Sequence, residues 1–286
     1  MTMPIGWTTI GLMGKKTKRT LADKADRHRC YQMSVQTPEH EVEFFDRAYR
    51  DCYGESPSRL REDFCGTFAI CCDWVRSDDE RTALAVDLCE DTLQWGRENN
   101  LSKLTDDQAS RVRIVHQDVR KRNRPMVDVI SAQNFSFWIF KTRAEVVEYF
   151  RIARGNLKAR GVLVMDMMGG SECQLDEHTD KRTIKKGKKG FRYDWEQASF
   201  DPITHDTTFY IHFKFADGSK LKRAFEYRWR FWTLPEVREM LAEAGFKRSH
   251  VYWENEDEDG DGDGTYDRTD HGTADPAWIC YLVAEK

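Results

Sequence analysis

The chain has no hydrophobic run long enough to span a membrane as a helix, which sets aside the helical integral-membrane classes. It also lacks an excess of positive charge. Lys and Arg number 45 against 49 Asp and Glu, a formal net charge of −4, so there is no global electrostatic footprint for nucleic acid. The eight cysteines, at 30, 52, 65, 71, 72, 89, 173 and 280, include no C-x-x-C pair. Most lie in apolar segments, the pattern of free thiols in a reducing compartment rather than of a disulfide framework. The same spacing offers no convergent ligand pairs for zinc. Met1 to Met13 is mildly apolar without a leading positive region, and Lys15, Lys16, Lys18 and Arg19 follow it. A secretory signal is therefore not expected, and the cytoplasm is the expected compartment. No internal repeat is evident. What is present suffices for a sizeable core: 40% hydrophobic content with nine Trp, beside 33% charged residues for a wet surface.

From Glu39 onward the chain has a regular grammar. Val42, Phe44, Phe45, Ala48, Tyr49 and Cys52 recur at helical spacing, and Gly54 with Pro57 ends that helix. Strands and helices then alternate: strands at 59–64, 83–88, 112–117, 127–132 and 162–167, helices at 68–75, 90–99 and 143–157. Such alternation implies right-handed crossovers and a parallel sheet covered on both faces. After Gly169-Gly170 the pattern changes. A polar stretch at 171–190 carries Lys185, Lys186, Lys188 and Lys189; alternating aromatic runs follow at 191–195, 209–215 and 224–231, the last two joined by Asp217-Gly218-Ser219. This reads as an antiparallel insertion. A helix at 235–244, stopped by Gly245, precedes a final strand pair at 250–253 and 278–283. The expected division is an N-terminal arm or lid at 1–38, irregular through 14–30, a nucleoside-binding core at 39–170, the insertion at 171–231 as a substrate lid, and the rest of the core at 232–286 with an acidic loop at 254–270.

Three of the early strands end in an acid: Glu62, Asp87 and Asp118, the first followed by Gly66. In an open parallel sheet, ligands bind beyond the carboxyl ends of the strands. Hydroxyls and an exocyclic amine donate hydrogen bonds, and carboxylates accept them, whereas a pyrophosphate would be repelled. The pattern suits an adenosine without phosphates. A dinucleotide site would need G-x-G-x-x-G, and Phe64 and Phe68 stand where its glycines would be.

On these residues the chain resembles the class I S-adenosylmethionine-dependent methyltransferases, whose first strand ends in acid-x-G-x-G-x-G. Glu62 takes the acidic place and Gly66 the central glycine, while Phe64 and Phe68 depart from the flanking ones. The resemblance implies an α/β, Rossmann-like fold: a seven-stranded, mostly parallel sheet with helices on both faces and an antiparallel insertion after strand five. It implies S-adenosyl-L-methionine as cofactor, held by Glu62, Phe64, Cys65, Gly66, Thr67, Asp87, Leu88, Asp118, Val119, Gln133, Asn134 and Phe135. Asp87 would take the ribose hydroxyls and Asp118 the adenine amine. Candidate substrate residues are Tyr31, Gln36, Phe137, Trp138, Tyr193, Trp195, Tyr210, Trp229 and Arg230; His178, His205 and His212 are candidate bases if the acceptor needs one. The implied activity is methyl transfer to a small-molecule acceptor by in-line displacement. The alternatives are a protein or nucleic-acid acceptor and a non-catalytic nucleoside-binding module. A homodimer is left open.

Plainer readings stand beside these. Asp87 precedes a helix and could cap it. Tyr31, Gln32 and Gln36 read equally as a lid over the cofactor or as a polar loop. Asp259, Asp261, Asp263 and Asp270 fall at calcium-loop spacing, but strands rather than helices flank them and the usual terminal Glu is missing, so a solvated, flexible loop is expected and no metal. The lysine cluster reads as an exposed loop rather than a phosphate grip.

Overall fold

The structure is a computed structural model that describes residues 19–185, 190–257, 260 and 262–286. It opens with a helix, α1 (Arg27–Val35), where the sequence suggests irregular chain as far as residue 30; Asp26 starts it by accepting from the His28 and Arg29 amides. Then come α2 (Pro38–Tyr53), β1 (Arg59–Asp63), α3 (Ala69–Arg76), β2 (Thr82–Asp87), α4 (Glu90–Asn99), α5 (Asp106–Ser110), β3 (Val112–His116), β4 (Val127–Ala132), α6 (Arg143–Asn156) and β5 (Leu157–Gly169). An antiparallel run follows: β6 (His178–Ile184), β7 (Phe191–Phe200), β8 (Asp206–Phe215) and β9 (Lys220–Arg230). The chain ends with α7 (Leu234–Glu243), β10 (Arg248–Glu256), β11 (Gly262–Thr269) and β12 (Trp278–Glu285).

The large sheet has eight strands in the order β11-β10-β12-β5-β4-β1-β2-β3. β5, β4, β1, β2 and β3 run parallel, and β12, β10 and β11 are antiparallel additions at one side. The chain order reverses between β1 and β4, the switch point beyond which open α/β sheets bind ligands. Two apolar clusters cover the two faces. One is built from α6, α7 and the aromatic turn 136–140, the other from α2, α3 and α4.

The eighth strand corrects the expected seven. β11 lies in the segment read as a flexible acidic loop, and it pairs with β10 from Val251↔Thr269 to Glu256↔Gly262. Its anchor is Tyr266, a buried ring packed on Phe44, His40 and Tyr281, which outweighs the local acidic and glycine-rich composition. β6 is likewise a strand inside the polar stretch 171–190. It pairs with β7, and its alternate residues face inward. Lys186, Lys188, Lys189, Asp259 and Asp261 lie outside the described residues, as does the segment Met1 to Lys18. Among the described residues no helix is long and apolar enough to cross a membrane.

Candidate active site

The turn after β1 has a left-handed backbone at places where the resemblance leads one to expect glycine, with two aromatic side chains there instead. Phe64, Gly66 and Phe68 all have left-handed backbone, with φ of 57°, 52° and 46°. These are the three places where the methyltransferase pattern has glycine. A side chain in that region costs about 1–2 kcal/mol per residue. Packing of the two rings offsets this. Phe68 is fully buried against Gly96 of α4, where an added Cβ would lie 2.4 Å from the ring. Phe64 is half-buried and packs on Phe140 and Tyr149, with ring centroids 6.0 and 5.7 Å away. Two packed aromatics thus hold the backbone path that glycines otherwise permit.

The three acids stand at the carboxyl ends of adjacent strands, where Asp63 is level with Val86 and Asp87 with His116. Glu62 accepts from the Cys71 amide of α3 at 3.1 Å, supplying the cap that Phe68 at the helix start cannot. Burial pushes its carboxyl up to about 8, with Asp87 and Asp63 adding to the push and the Cys71 amide opposing it. Asp87 ties two turns together, accepting from the Gly66 amide and the Cys89 amide, each at 2.8 Å. Leu88 beside it is 61% exposed, an uncovered apolar wall. Asp118 is wrapped by Arg120, whose Nη2 lies 2.8 Å from Oδ2 and whose backbone amide donates at 2.8 Å; these bonds hold the carboxyl below the usual range. An adenine amine would therefore share Asp118 with Arg120. Val119 is buried, and its carbonyl accepts from the buried Arg61 at 2.7 Å, which fixes the loop after β3. Cys65 is buried, and Thr67 accepts from Gln32 Nε2 at 2.8 Å, so α1 lies against the cofactor turn.

S-adenosylmethionine fits these residues on two observations. A Cβ at Gly66 would meet nothing closer than Thr92 Cγ2 at 3.8 Å, so the turn is open to a ligand. Glu41 lies within electrostatic reach of both Asp166 and Glu62, and burial raises all three carboxyls, a setting that suits a ligand carrying positive charge.

Between the small sheet and this edge lies a cavity of about 590 Å³. The period-2 alternation of strands decides which side chains enter it. His178, Asp180 and Arg182 of β6, Tyr193, Trp195 and Gln197 of β7, Phe209 and Ile211 of β8, and Tyr227 and Trp229 of β9 all face inward. Glu41, Asn134, Phe135, Asp166, Tyr266 and Tyr281 line the opposite wall. Asn134 and Phe135 also have left-handed backbone, and Asp166 holds both by accepting from their amides at 2.8 Å each. Burial lifts the Asp166 carboxyl to about 7 against those two bonds. Gln133 sits behind the turn, donating to the Val164 carbonyl at 3.3 Å.

Of the residues singled out in the sequence, Tyr31, Tyr193, Trp195, Trp229, His178, Asn134 and Phe135 line this cavity. His178 pairs with Asp180 at 3.1 Å. The others are placed elsewhere. Phe137 and Trp138 are fully buried in the 3₁₀ turn Ser136–Ile139 and belong to the core. Tyr210, His212 and Arg230 point to the far face of the small sheet by strand parity. There His212 pairs with Glu196 at 2.7 Å, and Tyr210 lies under the Arg223 guanidinium. Arg230 donates to the Lys141 carbonyl at 3.0 Å. His205 is in the β7–β8 turn, packed on Phe200 and Phe231. Gln36 is not among the cavity residues. Reading the sequence missed Glu41, Asp166, Tyr227 and Tyr281. Asp166 was detectable as the lone acid in the apolar run Val162–Met168; Glu41 looks like an ordinary solvent-facing acid in a first helical turn.

Away from the cavity, the fold brings Cys52, His250 and Glu285 together with ligand atoms within 4.8 Å of one another, a grouping that linear spacing does not reveal. His250 Nε2 lies 2.5 Å from Glu285 Oε1, and Arg248 pairs with the same carboxylate at 3.4 Å, so Glu285 is already satisfied by a hydrogen bond and an ion pair. Of the calcium-loop residues, Asp263 accepts from the Thr265 amide and hydroxyl at 2.6 and 2.7 Å within β11.

No protein-family model matches the chain, and no curated protein matches its sequence. Solved structures do match. CalS10, an amino pentose methyltransferase from Micromonospora echinaspora, is 15% identical with a TM-score of 0.64, over 90% of this chain and 95% of its own. An S-adenosylmethionine-dependent methyltransferase from Clostridium acetobutylicum matches at 15% identity and TM-score 0.64, over 90% and 96%. The sugar N-methyltransferase KedS8 from Streptoalloteichus sp. matches at 16% identity and TM-score 0.63, over 100% and 99%. The chain has the class I S-adenosylmethionine-dependent methyltransferase fold over nearly its whole length.

Proposed function

We propose that the chain is an S-adenosylmethionine-dependent methyltransferase that acts on a small molecule through an amine nitrogen. The observation that carries this reading is a juxtaposition: a cavity roofed by the small sheet is lined by Asn134 and Phe135, just past β4, and by Glu41. Glu41 lies within electrostatic reach of Glu62 on β1, although Glu62, Asp87 and Asp118 do not themselves line the cavity. Glu62, the Gly66 turn, Asp87 and Leu88 would hold the cofactor, which supplies an electrophilic methyl group when bound. The chain's own part is alignment and exclusion of water. The roof of alternating aromatics over a cavity of about 590 Å³ suits a compact acceptor better than a duplex or a large protein surface. Charge favours a cationic acceptor. Among the described residues lining the cavity, the carboxyls of Glu41, Asp166, Glu172, Asp180 and Glu254 outnumber the guanidinium of Arg182 and the imidazole of His178. Burial lifts Glu41 to about 8 and Asp166 to about 7, so a bound cation draws these two into the charged form. Tyr193, Trp195, Tyr227 and Trp229 add ring faces that attract an ammonium. Two of the similar structures are named for methylating an amino pentose and a sugar nitrogen, in keeping with that chemistry. Isothermal titration with S-adenosylmethionine and S-adenosylhomocysteine tests the reading: both are expected to bind, and failure of both overturns it.

A further inference from the structure

We propose that Glu41 receives the acceptor: its Oε2 accepts a hydrogen bond from the acceptor's ammonium and takes the proton that must leave before the nitrogen can attack a methyl group. This assignment rests on the methyltransferase reading and gives that reading its acceptor-binding residue. The geometry is specific. Glu41 sits in the first turn of α2, and its Oε1 is fixed by the Tyr281 hydroxyl at 3.0 Å. The other oxygen, Oε2, is shielded from solvent and has no hydrogen-bond partner among the described residues, while the side chain lines the cavity. A buried carboxylate oxygen left without a donor is costly, and a bound N–H satisfies it. Asp166 differs, because each of its oxygens already accepts from a backbone amide, of Asn134 or of Phe135, which commits it to shaping the turn. His178 is already paired with Asp180.

The surroundings raise the basicity of Glu41, which accepts a proton once ionised, toward pH 8. Facing Glu41 are Tyr281 from β12, Asp166 from β5 and Glu62 from β1; Tyr266 from β11 stands close by and bonds Glu254 of β10. On its own helix, His40 stacks near Tyr266 and Tyr281. Burial first, then Asp166 and Glu62, pushes the Glu41 carboxyl up to about 8, and the Tyr281 hydroxyl partly opposes them. A carboxyl in that range is a competent base for an ammonium in a way that an ordinary exposed Glu is not. The step balances. An N–H bond breaks and its proton goes to Oε2. The freed lone pair then forms the N–C bond as the methyl–sulfur bond breaks, that electron pair remaining on sulfur.

The test uses the full chain saturated with S-adenosylhomocysteine, titrated with tyramine, glucosamine and spermidine. Tyrosol and glucose, the hydroxyl counterparts of the first two, serve as controls. At least one amine is expected to bind well ahead of its counterpart, with proton release to the buffer. E41Q should keep S-adenosylhomocysteine binding, melt no lower than the parent, and bind that amine on the order of 10–100-fold more weakly. E41D, which keeps the carboxylate, should recover part of the loss. With S-adenosylmethionine, the wild-type kcat/KM profile should rise through a limb near pH 8 that E41Q lacks. The proposal is overturned if no amine binds, if hydroxyl compounds bind as well, or if E41Q leaves amine affinity and pH profile unchanged. Absence of S-adenosylhomocysteine binding by the wild type, measured before any amine is added, overturns the underlying functional reading instead.

Discussion

At the scale of single residues, Asp87 and Asp166 have different work, and substitution separates them. Asp87 accepts from two backbone amides and stands beside the exposed Leu88, so Asp87→Ala is expected to weaken S-adenosylmethionine binding by about 1–3 kcal/mol through loss of a charged acceptor. Titration calorimetry on the folded variant reads this, and unchanged affinity would remove Asp87 from the cofactor site. Asp166 instead holds the left-handed pair Asn134 and Phe135, and its replacement leaves two amides without an acceptor. Asp166→Ala should therefore lower the free energy of unfolding by about 1–3 kcal/mol, measured by denaturant titration. A variant as stable as the parent would mean that the turn needs no such anchor. The two aromatics at glycine places make a related point. Phe68 is tolerated at φ 46° because Gly96 leaves room for its ring. Gly96→Ala would put a methyl group where that ring lies and should cost about 1–3 kcal/mol by overpacking, again read from denaturant midpoints.

At the scale of elements, the parallel half of the molecule was legible in the sequence, as were the antiparallel strands β7, β8, β9, β10 and β12, whereas β6 and β11 were not. β4 and α4 fall where periodicity puts them, and β1, β2, β3 and α6 agree to within a residue or so, because each is an apolar run bounded by an acid, a glycine or a capping Thr. β5 is longer than its apolar run, since its partner β12 pairs all the way to Gly169. β6 and β11 were hidden because most of their side chains face solvent, and their strand character comes from a neighbour's edge. The candidate site divides along the same line. Glu62, Gly66 and Asp87 are local signals at strand ends, whereas Glu41 is brought to the cavity only by the packing of α2 against β12 and β11. Parity within β8 and β9 then separates Phe209 and Trp229, which face the cavity, from Tyr210, His212 and Arg230, which do not. β11 also changes what its removal should do. Composition alone suggests a dispensable acidic loop, but Tyr266 fills a niche among Phe44, His40 and Tyr281, and its carbonyl receives Arg47. Tyr266→Ala should lower stability by about 3–5 kcal/mol, measured by thermal or denaturant unfolding, as for other buried aromatics. A loss below about 1 kcal/mol would return this segment to the class of passive loops.

At the scale of the whole molecule, the buried carboxyls couple folding, pH and ligand charge. Glu41 and Glu62 are pushed up to about 8 and Asp166 to about 7, all chiefly by burial. In the unfolded chain the same groups ionise in the ordinary range near 4. Between about pH 4 and 8 the folded state therefore binds more protons than the unfolded state, so the contribution of these groups to stability is full at the acidic end and declines as pH rises. His28 and His40, held below the usual imidazole range by burial, act in the opposite sense near pH 6. The clean quantity is thus the difference between the parent and Glu41→Gln. The variant should be the more stable protein at pH 8, and its advantage should shrink steadily toward pH 5. Thermal melts in matched buffers measure it, and an advantage that is constant with pH would mean that Glu41 ionises as an exposed side chain does. Bound beside Glu62, S-adenosylmethionine would bring its sulfonium within electrostatic reach of these carboxyls without occupying Glu41 Oε2. Its stabilising effect on the parent should accordingly grow from pH 5 to pH 8, and should grow more than that of S-adenosylhomocysteine, which lacks the sulfonium charge. Equal shifts from the two ligands across that range would place the positive charge of the donor away from Glu41, Glu62 and Asp166.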